Sequence, residues 1–242
     1  FHMQDLSSAQ ARVNQWMQDH GARFAVVRQG HRQITENPFD PIPRTLPGKE
    51  FTHLEQGLIQ RINAMNLFLN DIYHHRMILR DGIIPEEFVL AAPDFRSECM
   101  DLVPAKGIYT HITATDLIRT TDGSWYAMED SLSVPDGITY PHFARKLCRE
   151  TVPELYQVPA LCDNCGLDIL LRQLYRDIMD DDPALEEGIV VLLSEGQDSL
   201  SSFELHYMAS LTGAVVAGAE DLIVMDNKVY YRAPEGGFQR VS

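Results

Sequence analysis

The sequence predicts a mixed fold: an α+β region over residues 1–180, with long helices and an antiparallel hairpin, followed by an α/β strand–helix–strand unit over residues 181–242. Three patterns predict it. Leu54, Leu58, Ile62, Met65, Leu69 and Ile72 recur at helical spacing. Between Gly107 and Ser131 the apolar period drops to two around Asp122-Gly123, a strong hairpin signal. From Gly188 to Gly218 the chain reads GIVVLLSEG, a helical stretch, then AVVAG, the pattern of a crossover between parallel strands.

The remaining elements follow in order. Asp5 to His20 predicts the first helix, with Ser7 or Ser8 as cap and Gly21 as stop. Phe24 to Arg28 is a short strand. Pro38 to Pro47, which contains FDPIPR, is extended because prolines and the residues before them avoid helix. Thr52 and Glu55 form a capping box that opens the long helix, which runs to about Leu79 and ends at Asp81-Gly82. Pro85 opens a short helix through Leu90. Helices around 142–156 and 167–179 follow the hairpin, and Ser199 to Leu211 supplies the crossover helix. Asp226-Asn227 turns a last hairpin, LIVM against VYYR. Asp180-Asp181-Asp182-Pro183 interrupts the pattern and marks the expected domain boundary.

Composition narrows the function classes. A net charge of −15 argues against general nucleic-acid binding, since a phosphate backbone needs a basic counterpart. No run of about 18 apolar residues occurs, so no membrane span is expected. Phe1-His2-Met3 reads as a cloning remnant before a native Met3, with no secretory signal, which makes the cytoplasm the expected compartment. Cys162-Asp163-Asn164-Cys165 is a lone CxxC with no second pair to complete a four-ligand zinc site. With Cys99 and Cys148 it reads as a set of reduced bystander thiols, the alternative being a redox pair ahead of a helix.

The Asp122-Gly123 hairpin carries the chemistry. Residues 114–120 and 125–131 form its strands, and a two-residue loop makes facing residues sum to 245. That sets Asp116 opposite Glu129, with Cβ atoms about 5 Å apart. Ser131, two residues on, shares their face. Two opposed carboxylates repel unless a cation lies between them, and Mg²⁺ is commonly held by one or two carboxylates together with substrate phosphates. Residue types by themselves leave two readings open, a divalent-metal site and a solvated surface hairpin.

DLIRTTDGSWYAMEDS (116–131) resembles the metal-binding hairpin of ATP-grasp ligases, in which an acid on one strand precedes a Glu-x-Asn on the next. By that resemblance Asp116 and Glu129 bind metal and nucleotide, and Ser131 occupies the place of the Asn. From about Phe39 to Arg232 the chain is similar to the circularly permuted ATP-grasp family of glutathionylspermidine-synthase-like carboxylate–amine ligases. The segments that carry this likeness are FDPIPR (39–44), LEQGLIQRINAMNLFLNDIY (54–73), LRDGIIP (79–85), DLIRTTDG, MEDSLSVPDGITY (128–140) and GAEDLIVMDNKVYYR (218–232). Ser131-Leu132-Ser133 stands where the resemblance expects Asn-Leu-Arg, Asp136 where it expects Ser, and Ser199-Leu200 where it expects Asn-Ser.

The resemblance covers the first half of the family's core: a metal-bearing ATP-grasp subdomain, then an incomplete Rossmann-like substrate unit. It implies an ATP- and Mg²⁺- (or Mn²⁺-) dependent ligase that joins a carboxylate to an amine through an acyl phosphate. Its partners would be ATP, small carboxylate and amine substrates, and a downstream segment or partner chain that completes the nucleotide site. Lys49, Lys106, Lys146 and Lys228 lie in no Gly-rich phosphate loop, so the 242 residues by themselves are expected to be inactive. Arg44 and Arg119 are the candidate catalytic arginines. Arg44 ends FDPIPR and offers a bidentate fork for a carboxylate; Arg119, three residues from Asp116, points to the opposite strand face, where an ion pair is the simpler role. The alternative function is a degenerate, non-catalytic homologue that acts as a binding or regulatory partner, which Ser131 and Ser133 favour. Glu204 and His206 are expected on the solvated face of the crossover helix.

Overall fold

Element order follows the hydrophobic periodicity, with shifts where helices begin and end. The structure is a computed structural model that describes residues 3–20, 22–28, 31–36, 39–133, 135–156, 166–179, 188–196 and 202–241. In chain order the elements are α1 (Met3–Asp19), β1 (Arg23–Arg28), β2 (His31–Glu36), α2 (Gly48–Tyr73), α3 (Met77–Arg80), α4 (Glu86–Leu90), β3 (Ala114–Arg119), β4 (Trp125–Ser131), α5 (Tyr140–Thr151), α6 (Pro153–Tyr156), α7 (Leu167–Ile178), β5 (Val191–Leu193), α8 (Ser202–Thr212), β6 (Val215–Ala217), β7 (Leu222–Met225), β8 (Lys228–Arg232) and β9 (Phe238–Arg240). Two compact units emerge, residues 1–44 with 136–242 and residues 45–135. The boundary expected at 180–183 falls outside the described residues, as do Gly21, Cys162 and Cys165.

Local caps are overridden in three places. Ser7 and Ser8 lie inside α1. Helix α2 begins at Gly48, directly after Pro47 (φ −58, ψ 141), and no side chain caps it. Thr52 and Glu55 are therefore a turn inside the helix, and their capping box is not used. The long helix also stops before Leu79. The Asp71 carboxylate accepts the amide N–H groups of Met77 and Ile78, both at 2.9 Å, while Arg76 takes a left-handed conformation (φ 53). This carboxylate cap starts α3 as a separate turn. Periodicity misses the break because Met77, Ile78 and Leu79 continue an apolar run.

In the unit of residues 45–135, the antiparallel pair β3–β4 packs on α2. The expected stripe does turn inward: Leu54, Leu58, Ile62, Met65 and Leu69 are half-buried and Ile72 is buried. One helix over two strands makes only a thin layer, and such a hairpin is marginal without support. Polar anchors supplement it. The Asn66 side-chain oxygen accepts the amides of Tyr109 (2.8 Å) and Thr110 (3.2 Å). The Thr110 hydroxyl in turn donates to the Leu132 carbonyl at 2.6 Å, tying the approach to β3 and the exit of β4 to the same helix. His74 follows α2, its Nδ1 lying 2.9 Å from the Asn70 carbonyl.

In the other unit, β1 and β2 form an antiparallel pair in which Arg28 faces His31; β2 went unpredicted. FDPIPR adopts neither helix nor strand, as its prolines dictate, and its Phe39 carbonyl accepts from the Gln10 amide at 2.8 Å. Strands β5 and β6 pair in parallel with α8 between them, Val191 facing Val215, as the crossover pattern predicts. Asp226 and Asn227 both take positive φ (51 and 58) and close β7 onto β8 in a two-residue turn, the primed geometry that twisted hairpins favour. Strand β9, also unpredicted, adds a third strand to that sheet.

The core of this unit joins Ala9, Val13 and Met17 of α1 to Phe143, Leu147 and Cys148 of α5 and to Val152. Phe143 meets Phe203 and Tyr207 edge-on, at centroid distances of 5.0 and 5.7 Å. Burial pushes the Cys148 thiol above its ordinary value. Leu147 is 0% exposed, so Leu147→Ala is expected to cost about 2–5 kcal/mol through lost transfer energy and a cavity. A denaturant melt checks this, and a loss below about 1 kcal/mol would show that the α1–α5 seam is not the packing centre.

Candidate metal centre

The Asp122-Gly123 turn is longer than two residues. Thr120 N–H donates to the Ser124 carbonyl (2.9 Å) and Gly123 N–H to the Thr120 carbonyl (3.0 Å), which leaves Thr121, Asp122 and Gly123 in the loop. Gly123 takes the positive φ (89) that closes such a loop. The Thr120 hydroxyl and the Ser124 amide both donate to the Asp122 carboxylate, and these bonds hold that acid below its usual range. A three-residue loop pairs Arg119 with Trp125, Ile118 with Tyr126 and Leu117 with Ala127, a sum of 244 rather than 245. Between Leu117 and Asp116 the register shifts by one. Met128 is the extra residue of a β-bulge, and beyond it Asp116 faces Glu129, as predicted, with Thr115 facing Asp130 and Ala114 facing Ser131.

The pleat and the bulge sort the side chains. One face carries Asp116, Ile118, Tyr126, Glu129 and Ser131, all of them exposed. The other face meets α2. There the Trp125 indole N–H donates to Glu50 at 2.7 Å, and the Arg119 guanidinium pairs with the same carboxylate at 3.2 Å while lying 5.8 Å from the Trp125 ring centroid. Further along, Arg61 holds Asp130: Nε lies 2.9 and 2.7 Å from the two carboxylate oxygens and Nη2 2.5 Å from Oδ2. The Thr115 hydroxyl adds a cross-strand bond at 2.8 Å. Hydrogen bonding from Arg61 first, against an opposing desolvation, holds Asp130 below the usual carboxylate range.

Asp116 and Glu129 engage no cation among the described residues. Their donor set, two carboxylates with the Ser131 hydroxyl, is all hard oxygen, which suits Mg²⁺ or Mn²⁺. No three His, Cys, Asp or Glu side chains converge among the described residues, so an ion held by these two acids would take most of its coordination from water or phosphate. Arg44 is exposed and belongs to the other compact unit.

The chain matches the description "Circularly permuted ATP-grasp type 2" over residues 43–242. This chain belongs to that ATP-grasp family. An uncharacterised protein of Synechocystis sp. is 36% identical over 224 residues, covering 91% of this chain and 45% of the relative. An uncharacterised protein of Mycobacterium tuberculosis is 33% identical over 223 residues, covering 90% and 38%. A Frankia casuarinae protein named "Putative glutamate--cysteine ligase 2-2" is 34% identical over 197 residues, covering 81% and 22%. The chain spans less than half the length of each of these relatives.

Within this ATP-grasp chain, two side chains have structural roles that residue types did not reveal. One is Arg61. The other is Glu204, which is 4% exposed rather than solvated. It accepts the Gly137 amide at 2.7 Å and both the amide and the hydroxyl of Thr139 at 2.9 Å, at the start of α5. A carboxylate suits that end of a helix, but its partners are distant in sequence and leave no local signal. His206 stays exposed, with Nδ1 2.8 Å from the Ser202 carbonyl.

Glu204 also sets the field around the Asp136 departure. Burial, then the Glu204 charge, raises the Asp136 carboxyl above its ordinary value. Tyr140 is pushed up to about 12 by burial and by the same two acids. An acid raised on folding binds its proton more tightly in the folded state. Its favourable contribution is complete below the unfolded value of about 3.9 and is lost as pH rises through the folded pKa. Asp136→Asn is therefore expected to melt at a higher temperature than wild type at pH 7, with the gap closing below about pH 4. Thermal melts at both pH values check this; identical midpoints at pH 7 would show that burial and the Glu204 charge together do not destabilise ionised Asp136.

Proposed function

We propose that the chain supplies the metal-binding part of an ATP- and Mg²⁺-dependent carboxylate–amine ligase. The observation that carries this reading is the pairing of Asp116 with Glu129 on an exposed face, with Ser131 beside them. Family membership and the ligase names of the Frankia relatives support it. In the reaction, a substrate carboxylate oxygen takes the γ-phosphoryl group of ATP and ADP leaves. The amine then attacks the acyl carbon, phosphate departs with its oxygen, and an amide remains. Mg²⁺ held by Asp116 and Glu129 would neutralise charge on the phosphate oxygens and orient them.

The chain's own residues do the positioning. Asp116 and Glu129 hold two negative charges side by side, and Ser131 adds a hydroxyl as a weak third donor or a water anchor. We assign Arg44 to the substrate carboxylate, which its guanidinium fork matches in shape. Arg119, engaged with Glu50 on the opposite strand face, we assign to anchoring the hairpin. Lysine donors for the phosphates are absent from any Gly-rich loop of these residues, so the proposal includes a further segment or partner chain that provides them.

A second reading, a non-catalytic homologue with a binding or regulatory role, draws on Ser131, whose hydroxyl is a shorter and weaker ligand than the amide the resemblance expects. Calorimetry of Mn²⁺ binding in the presence of ATP separates the two. The ligase reading expects binding that Glu129→Gln weakens by about tenfold or more and that Ser131→Asn tightens. The regulatory reading expects Mn²⁺ binding to be undetectable in wild type and restored by Ser131→Asn. Measurable Mn²⁺ binding of equal affinity in wild type and Glu129→Gln would sink the metal assignment. ATP turnover by the 242 residues is expected to be absent, because missing phosphate donors commonly cost factors of about 10³ or more in rate; robust ADP release would contradict this placement of the nucleotide site.

A further inference from the structure

The facing of Asp116 and Glu129 depends on the extra residue at Met128. Were the 244 register to continue, Asp116 would face Met128, and Glu129 would face Thr115 on the α2 side, because a one-residue slip exchanges the two faces of a strand. The turn does not choose between these states, since its own hydrogen bonds are complete on the loop side of the bulge.

Two anchors on α2 do choose. Glu50 and Arg61 are eleven residues apart, about three helical turns, so they lie on one side of the helix roughly 16 Å apart. Their partners on β4 are Trp125 and Asp130, five residues apart. In a regular strand that odd interval would turn the two side chains to opposite faces. One inserted residue brings both onto the α2 side and leaves Glu129 on the other. The grip at Asp130 is the tighter of the two, since both carboxylate oxygens are engaged by Arg61 and one also by Thr115.

We propose that Arg61, assisted by Thr115, is a positioning residue: by holding Asp130 against α2 it fixes the bulge at Met128 and so turns Glu129 toward Asp116. The inference rests on the metal role proposed for that pair, and it concerns register, which has its own readout. A lysine at 61 would keep the charge but lose the planar fork that engages two oxygens. Replacing both partners by apolar residues would remove the grip without leaving a charge unpaired.

The test uses the full 242-residue protein, with Mn²⁺ alone as probe, the free ion followed by electron paramagnetic resonance. Cross-strand NMR contacts report in parallel whether residue 116 faces 129 or 128. Arg61→Lys and the double variant Arg61→Met/Asp130→Leu are expected to weaken Mn²⁺ binding by about tenfold, the usual scale for residues that orient a metal ligand. They are also expected to populate the 116–128 register, while the double variant keeps a thermal midpoint near wild type. Unchanged 116–129 contacts and unchanged Mn²⁺ affinity in both variants would overturn the inference while leaving the metal assignment standing, provided that Glu129→Gln loses the ion. If Glu129→Gln binds Mn²⁺ as wild type does, the metal reading fails instead. The NMR register then decides the positioning role: a shift to 116–128 supports it and a retained 116–129 pairing refutes it.

Discussion

One inserted residue at Met128 sets the chemistry that the hairpin presents. A two-stranded ribbon has two faces and little intrinsic preference between them, so something outside it must select the face that carries the acids. Helix α2 does this with polar contacts rather than with a deep apolar core. Glu50 takes the indole and guanidinium of Trp125 and Arg119, Arg61 takes Asp130, and Asn66 takes the amides leading into β3. Hydrogen bonds are directional, and apolar contact is not. A hairpin held through such bonds is fixed in register.

The other unit is organised by the opposite economy. There α1 and α5 exclude water from a continuous apolar seam, and among the described residues the buried charged side chain is Glu204. Its buried carboxylate is satisfied by two amides and a hydroxyl, the arrangement that makes burial of a charge tolerable. By gathering the donors of Gly137 and Thr139 it shapes the start of α5, where Asp136 brings a second acid into an already negative surrounding. Both units thus use a charged side chain from a helix to hold a residue remote in sequence.

Family membership gives these local arrangements a setting. An ATP-grasp chain of the permuted kind that spans 45% of a relative's length carries the acid pair, and its ligase function is proposed as a property of a larger assembly of segments. In the proposed function, a cation held by Asp116 and Glu129 would offset a repulsion that the net charge of −15 reinforces. An anionic nucleotide approaching two more carboxylates meets that repulsion.

Periodicity alone determined the helical stripe of α2, the parallel crossover around α8, the two-residue turn at Asp226-Asn227, and the presence of the Asp122-Gly123 hairpin, because each of these is written in residues within a few positions of one another. The facing of Asp116 and Glu129 was also legible, but through two offsetting differences: the loop has one more residue than its Asp-Gly signal suggests, and β4 has one more than a regular strand. Helix limits at Pro47 and Asp71 escaped because backbone conformation and a carboxylate several residues away outweighed the nearest capping motif. Only the tertiary structure decided the bulge and the burial of Glu204, since their partners lie across the fold. Arg61 reaches Asp130 over 69 positions and Glu204 reaches Thr139 over 65. A charge whose partner is that distant reads in sequence as an ordinary solvated residue, and it becomes a structural determinant only when folding removes the water that would otherwise satisfy it.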